Sequence, residues 1–212
     1  PGAAERVIDA TIERLGGLHV FLSRYDEAET ALNTALAITE KHLGPDHRQC
    51  VTYHGLLADI ARAQANFNEA LSRYETVVVR AENAFGPTHG EFAFNIFRLA
   101  TLLHTMGHYE EAEQRLLETA TIIETAYGTT HPNYIVVMSE MASLDRTRGN
   151  LEASAKRYDE TLEQAIEILG PDHINIGALQ NNMALLAESF GDHALAKQRL
   201  DEAAQIIRDN IG

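Results

Sequence analysis

The sequence predicts an all-α fold built as an array of helical hairpins. Three observations predict it. The chain repeats itself every 42 residues without an insertion. Only 14 glycines and 5 prolines occur in 212 residues, too few for many turns but enough for long helices joined by short ones. No alternating run of aromatic or β-branched residues has the length of a strand.

Three residue series carry the period in one register. Glycines stand at Gly44, Gly86, Gly128, Gly170 and Gly212, and the first four are followed three residues later by His47, His89, His131 and His173. Pro45, Pro87 and Pro171 follow three of these glycines directly. Leu15-Gly16, Leu57-Ala58, Leu99-Ala100, Met141-Ala142 and Met183-Ala184 form the second series. Ala28, Ala70, Ala112, Ser154 and Ala196 form the third, each three residues after Tyr25, Phe67, Tyr109, Leu151 or His193. Ala28-Leu32-Ala35, Ala112-Leu116-Thr119 and Ala196-Leu200-Ala203 lie at i, i+4, i+7 and so share a helix face. A small residue there lets a second helix approach closely.

The hairpins fall at 4–22 with 25–42, 47–64 with 67–85, 89–106 with 109–127, 131–148 with 151–169, and 173–190 with 193–210. One array spans 1–212, with repeats at 4–44, 45–86, 87–128, 129–170 and 171–212. Gly107-His108-Tyr109 and Gly149-Asn150-Leu151 mark turns within hairpins. The boundary glycines suit left-handed positions just past a helix end. Asp46, Thr88, Thr130 and Asp172 are the expected caps of the helices that follow, and Thr88-His89-Gly90-Glu91 has capping-box spacing.

Composition narrows the function. The net charge is −14, from 17 basic and 31 acidic residues. A surface that tracks phosphates has the opposite sign, so neither nucleic acid nor an anionic membrane is the expected partner. No apolar run approaches the ~18 residues of a membrane span. The first residues do not read as a signal peptide. A single cysteine, Cys50, cannot form an internal disulfide and suits a reducing, cytoplasmic setting.

Together, Leu-Gly or Leu-Ala and the Ala-x-x-x-aromatic or Leu pattern twelve residues on resemble the tetratricopeptide repeat. That repeat is ordinarily about 34 residues; the present one is longer by about one turn per helix. Leu43-Gly44-Pro45-Asp46-His47 and Asn181-Asn182-Met183-Ala184-Leu185-Leu186-Ala187 resemble the kinesin-light-chain type. The family's tryptophan position instead holds Ile12, His54, Ile96, Met138 and Gln180, and its tyrosine position His19, Ala61, Leu103, Asp145 and Ala187. These departures tell against cargo shared with kinesin light chains. The resemblance implies a right-handed superhelix, an α-solenoid of five antiparallel hairpins, whose concave surface is lined by the first helix of each hairpin.

No catalytic or metal-binding constellation emerges, and no cofactor is called for. Zinc ligands need nitrogens within about 4 Å of one another, whereas equivalent histidines in successive repeats are offset by roughly a helix-packing distance of ~10 Å. His47, His89, His131 and His173 therefore read as turn residues. His104 and His108 have i, i+4 spacing, but His108 falls in a turn. Cys50 lies near a helix start and near His47, yet no Gly-x-Ser-x-Gly or P-loop accompanies it, so it reads as a small packing residue. Glu110-Glu111, Asp159-Glu160 and Asp201-Glu202 read as solvated faces, because adjacent helical positions point about 100° apart. Tyr25, Phe67, Tyr109, Tyr74 and Tyr158 read as core.

Carried over from the family position by position, the binding surface comprises Thr52, Gly55, Asp59 and Arg62; Phe94, Phe97, Thr101 and His104; Val136, Ser139, Ser143 and Arg146; and Asn181, Leu185 and Glu188. Phe94 and Phe97 either form an apolar pocket or pack between repeats. Arg62 and Arg146 either pair with carboxylates and carbonyls of a ligand or make surface ion pairs. Asn181 suits an extended peptide backbone.

The expected function is a non-catalytic module that binds a peptide segment or partner domain. Two alternatives stand beside it. One is a self-assembling scaffold, suggested by Leu200, Ala203, Ile206, Ile207 and Ile211 on a last helix with no polar cap after it. The other is a regulatory segment of a kinase, NTPase or protease, the chain being a piece of a larger protein.

Overall fold

The computed structural model describes residues 25–211, the side chain of Ile211 excepted. Among these residues the chain forms nine α-helices and no strand. They are α1 Tyr25–Leu43, α2 Arg48–Ala63, α3 Phe67–Phe85, α4 Gly90–Thr105, α5 Tyr109–Tyr127, α6 Pro132–Thr147, α7 Leu151–Leu169, α8 Ile174–Ser189 and α9 His193–Ile211. The expected helix at 4–22 lies outside the described residues. First helices of a repeat are 16 residues long and second helices 19.

Two compact units divide the chain, Pro1–Met106 and Gly107–Gly212. In the first, α1 packs on α2, α2 on α3 and α3 on α4. In the second, the order continues from α5 to α9, each helix on the next, and α6 also touches α8. The series of small residues sits at these contacts: Ala58, Ala70 and Ala100 are buried in the first unit, Ala112, Ala142, Ser154, Ala184 and Ala196 in the second. Where Ser154 replaces alanine, its hydroxyl donates to the Ala142 carbonyl at 2.7 Å, so the buried oxygen is satisfied. Leu32, Ala35 and Leu36 of α1 close on Cys50, Tyr53, Leu57 and Ile60 of α2. The second unit's core joins Ile135 and Ala142 of α6 to Tyr158 and Ala165 of α7 and to Ile176, Leu179, Met183 and Leu186 of α8.

The boundary turns differ from expectation in two details. Gly86, Gly128 and Gly170 have positive φ (89°, 83° and 83°), but ψ is 161°, 167° and 156°. This is the extended region open almost solely to glycine, not the left-handed helical one. The caps also fall one residue later than Asp46, Thr88, Thr130 and Asp172. His47, His89, His131 and His173 occupy extended backbone, and each Nδ1 accepts the N–H two residues on, at 3.3, 3.1, 3.2 and 3.1 Å. The reason is geometric. Nδ1 is bonded to Cγ, as the side-chain oxygen of asparagine is, so a neutral imidazole reaches the same orphan donor. The ring does more than an asparagine could. His89 stacks on Phe85 at 5.2 Å between centroids, and His131 on Tyr127 at 4.7 Å, tying each turn back to the helix before it.

The turns inside hairpins use positive φ at Gly107, Gly149 and Gly191 (81°, 82° and 79°). The equivalent position in the repeat before them is Ala65, at φ 59°.

Candidate functional site

The candidate residues lie on first helices, two of them in each unit. In the first unit, α2 carries Thr52, Gly55, Asp59 and Arg62 at spacings of three or four, and α4 carries Phe94, Phe97, Thr101 and His104. Thr52 and Arg62 are exposed, and Phe94 is 50% exposed. Phe97, Thr101 and His104 are half-buried. The Thr101 hydroxyl donates to the Arg98 carbonyl at 2.9 Å.

Between the two helices lies a residue that the sequence reading missed. Arg98 of α4 reaches back to α2, where its Nη2 donates to the Gly55 carbonyl at 2.7 Å and pairs with the Asp59 carboxylate. Its Nη1 contacts Asn95 Oδ1 at 3.5 Å. The guanidinium also lies over the rings of Tyr74, at 5.3 Å, and Phe94, at 5.5 Å. From α3, the Tyr74 hydroxyl donates to the other Asp59 oxygen. Asp59 is thus engaged on both oxygens. Burial, then the Asp59 charge, pushes the Tyr74 phenol up to about 12. Gly55 is part of the same arrangement: a Cβ at this position would collide with Arg98 Nη1. A glycine inside a helix costs roughly 0.5–1 kcal/mol against alanine, so the approach of the guanidinium gives that cost a structural reason.

In the second unit, α6 carries Val136, Ser139, Ser143 and Arg146, and α8 carries Asn181, Leu185 and Glu188. Asn181 and Glu188 are exposed, Leu185 is 45% exposed and Val136 38%. Ser139, Ser143 and Arg146 are half-buried. Asn182 Nδ2 donates to Ser139 Oγ at 3.3 Å, joining α8 to α6. The Nε of Arg146 and the hydroxyl of Tyr158 are buried without a partner in hydrogen-bonding geometry. Burial pushes the Tyr158 phenol up to about 12, although nearby Ser143 and Arg146 act in the opposite direction. Asp145, on the flank of α6, is held by Arg157 Nε at 3.0 Å.

Other sequence candidates are placed plainly. Cys50 is buried, its Sγ 3.5 Å from the Gly44 carbonyl, and burial pushes the thiol up and away from reactivity. His54 is half-buried against Glu40 at 3.6 Å, and burial followed by the Arg80 charge pushes its imidazole down. Among the described residues no group of three His, Cys, Asp or Glu side chains is arranged to hold a metal ion, and no helix is long and apolar enough to cross a membrane.

Comparison with known proteins places the architecture. The tetratricopeptide repeat profile matches residues 8–83, 50–122, 92–163 and 134–209. No curated protein matches the sequence. Among solved structures, BtubC from P. vanneervenii is 16% identical, with a TM-score of 0.75 over 100% of this chain and 94% of its own. The nearly identical TPR-like repeats of a kinesin-light-chain candidate from Podosopora anserina are 18% identical, with a TM-score of 0.70 over 97% of this chain and 95% of theirs. A Rap protein, solved in complex with competence and sporulation factor, is 14% identical, with a TM-score of 0.64 over 97% of this chain and 64% of its own. At such identities the likeness is one of fold.

Proposed function

The chain belongs to the tetratricopeptide repeat family, and we propose that it acts as a non-catalytic protein-interaction module whose first helices bind a peptide segment or partner domain. The observation that carries this reading is a solvent-facing stripe in each unit. In the first unit Phe94 on α4 is 50% exposed and α2 carries exposed Arg62; in the second Val136 on α6 and Leu185 on α8 are 38% and 45% exposed, and the same two helices carry Arg146 and Asn181. Apolar anchors flanked by groups that donate to carbonyls and carboxylates are what a peptide-binding surface needs. A Rap protein of similar fold was solved in complex with competence and sporulation factor, which supports the reading.

Affinity capture from the source cell tests the proposal, comparing the wild type with a Phe94→Asp plus Arg146→Glu variant whose circular dichroism is unchanged. Loss of a defined set of proteins from the variant supports it. Capture of the same set by both rejects the stripe.

One observation favours a second reading, self-association through α9. Leu200 and Ile207 are 44% and 37% exposed, whereas their equivalents Tyr158 and Ala165 on α7 are fully buried beneath α8. Light scattering across a wide concentration range decides: a strictly monomeric species counts against it.

A further inference from the structure

The repeats serve as controls for one another. Gly55, Asp59, Tyr74 and Arg98 occupy register positions that recur 84 residues later as Ser139, Ser143, Tyr158 and Asn182. In the second unit the four equivalent positions are uncharged and the first of them carries a side chain. In the first unit a helix-interior glycine, a carboxylate and an arginine appear together, and a side chain at position 55 would collide with that arginine. The glycine and the carboxylate accompany the arginine and are absent from the second joint, whereas the tyrosine is common to both.

The surroundings have the chemistry of guanidinium recognition. Two acceptors, the Gly55 carbonyl at 2.7 Å and the Asp59 carboxylate, take the two hydrogens of Nη2, and Asn95 Oδ1 lies 3.5 Å from Nη1. Two aromatic faces, Tyr74 and Phe94, lie 5.3 and 5.5 Å from the carbon at its centre. The Tyr74 hydroxyl holds Asp59 in place. A lysine ammonium, compact and strongly hydrated, has no planar face to lay against the two rings. One wall is open: Phe94 is half-exposed, the Asp59 side chain is 29% exposed and that of Arg98 is 15% exposed.

We propose that Gly55, Asp59, Tyr74 and Phe94 form a guanidinium-binding cage whose resident occupant is Arg98 of the same chain, so that this joint is closed to cationic ligands until Arg98 leaves and then accepts an arginine side chain from a partner. Arg98 is an autoinhibitory contact on the first unit's stripe. Its biological use rests on the stripe being the binding surface, but the cage itself is tested without a partner.

The experiment is chemical rescue. Arg98→Ala is made in an Arg62→Gln background, which removes the neighbouring arginine whose charge reaches Tyr74. Thermal unfolding is followed with methylguanidinium chloride up to about 50 mM, with methylammonium chloride as the control. A ligand that binds only the folded state raises the midpoint with saturation. The expected result is a saturable rise of about 2–5 °C with methylguanidinium alone. That rise is expected to be absent in the wild type, where Arg98 fills the cage, and abolished by adding Asp59→Asn. If the variant does not fold unaided, the same salts are added during refolding, and folding restored by methylguanidinium but not methylammonium is the supporting result. No rescue, equal rescue by both salts, or equal rescue of the wild type overturns the proposal. Rescue without loss of partners from the stripe variant keeps the cage and rejects the stripe; the converse rejects the cage alone.

Discussion

Two joints of the same register have been built with different chemistry. Where α2, α3 and α4 meet, a glycine, an aspartate, a tyrosine and an arginine saturate one another. Where α6, α7 and α8 meet, two serines, a tyrosine and an asparagine make one 3.3 Å hydrogen bond and leave the tyrosine hydroxyl buried without a partner. The backbone tolerates both because Ala58 and Ala70 in one joint, and Ala142 and Ser154 in the other, already set the close approach of the helices. The lesson is that the small-residue register sets the helix contacts within each unit, while the four joint positions vary in chemistry from one repeat to another. The first joint has its polar capacity committed internally. The second retains two buried polar atoms without a partner in hydrogen-bonding geometry, the Arg146 Nε and the Tyr158 hydroxyl.

The sharpest break in this comparison is Arg98→Ala against Asn182→Ala. Removing Arg98 leaves a partly shielded carboxylate with a single partner and is expected to cost about 2–3 kcal/mol. Removing Asn182 is expected to cost about 0.5–1 kcal/mol. Chemical denaturation of each variant measures both, and equal costs would erase the distinction drawn here.

The tyrosines differ in the same sense. Tyr74→Phe takes a hydrogen bond from Asp59 and is expected to cost about 1.5 kcal/mol. Tyr158→Phe removes a hydroxyl without a partner and is expected to be neutral or slightly stabilising. Alkaline titration follows the first of these. A phenol ordinarily ionises near ~10, and Tyr74 is pushed up to about 12. The folded state therefore holds the proton more tightly than the unfolded chain. The resulting stabilisation is complete below about 10 and is lost as pH rises from about 10 towards 12. Phenolate absorbance should show Tyr74 and Tyr158 ionising late in the wild type, and Tyr74→Phe should shrink that late component to the share of Tyr158; an unchanged curve would contradict the assignment.

The histidine caps should cost about 1 kcal/mol each when His89 or His131 is changed to alanine, and most of that should be restored by asparagine. Thermal melts of the two pairs of variants measure it. If asparagine restores all of it, the ring stacks on Phe85 and Tyr127 contribute nothing.

The smallest effect separates the inner turns. Ala65 adopts φ 59°, where glycine is more comfortable, and Ala65→Gly should stabilise by up to ~1 kcal/mol. Gly149→Ala, at φ 82°, should destabilise by about 1 kcal/mol or somewhat more. Opposite signs are the expected result.

The helices were legible in the sequence because one period governs them. Gly44, Gly86, Gly128 and Gly170 mark each boundary, and the buried alanines mark each contact. The caps were misplaced by one residue because Asp46, Thr88, Thr130 and Asp172 have the chemistry capping usually favours. The better signal was the register itself: the preceding position is aspartate in two repeats and threonine in two, while histidine stands in all four. Arg98 escaped notice for the opposite reason. Its register equivalents are Leu56, Glu140 and Asn182, so no period points to it. Its role depends on a carbonyl 43 residues away, which only folding brings near. A glycine within an otherwise good helix, at Gly55, was the one local sign that something large approaches there.

The measurement that tests the central claim most directly is site-specific photocrosslinking in the source cell. A photoreactive phenylalanine is placed at Phe94 or Leu185 on the first helices, and at Val79, which is 60% exposed on the second helix α3. The account predicts covalent adducts with partner proteins from positions 94 and 185 and none of those adducts from position 79. Adducts from position 79, with none from 94 and 185, would place binding on the second helices and contradict it.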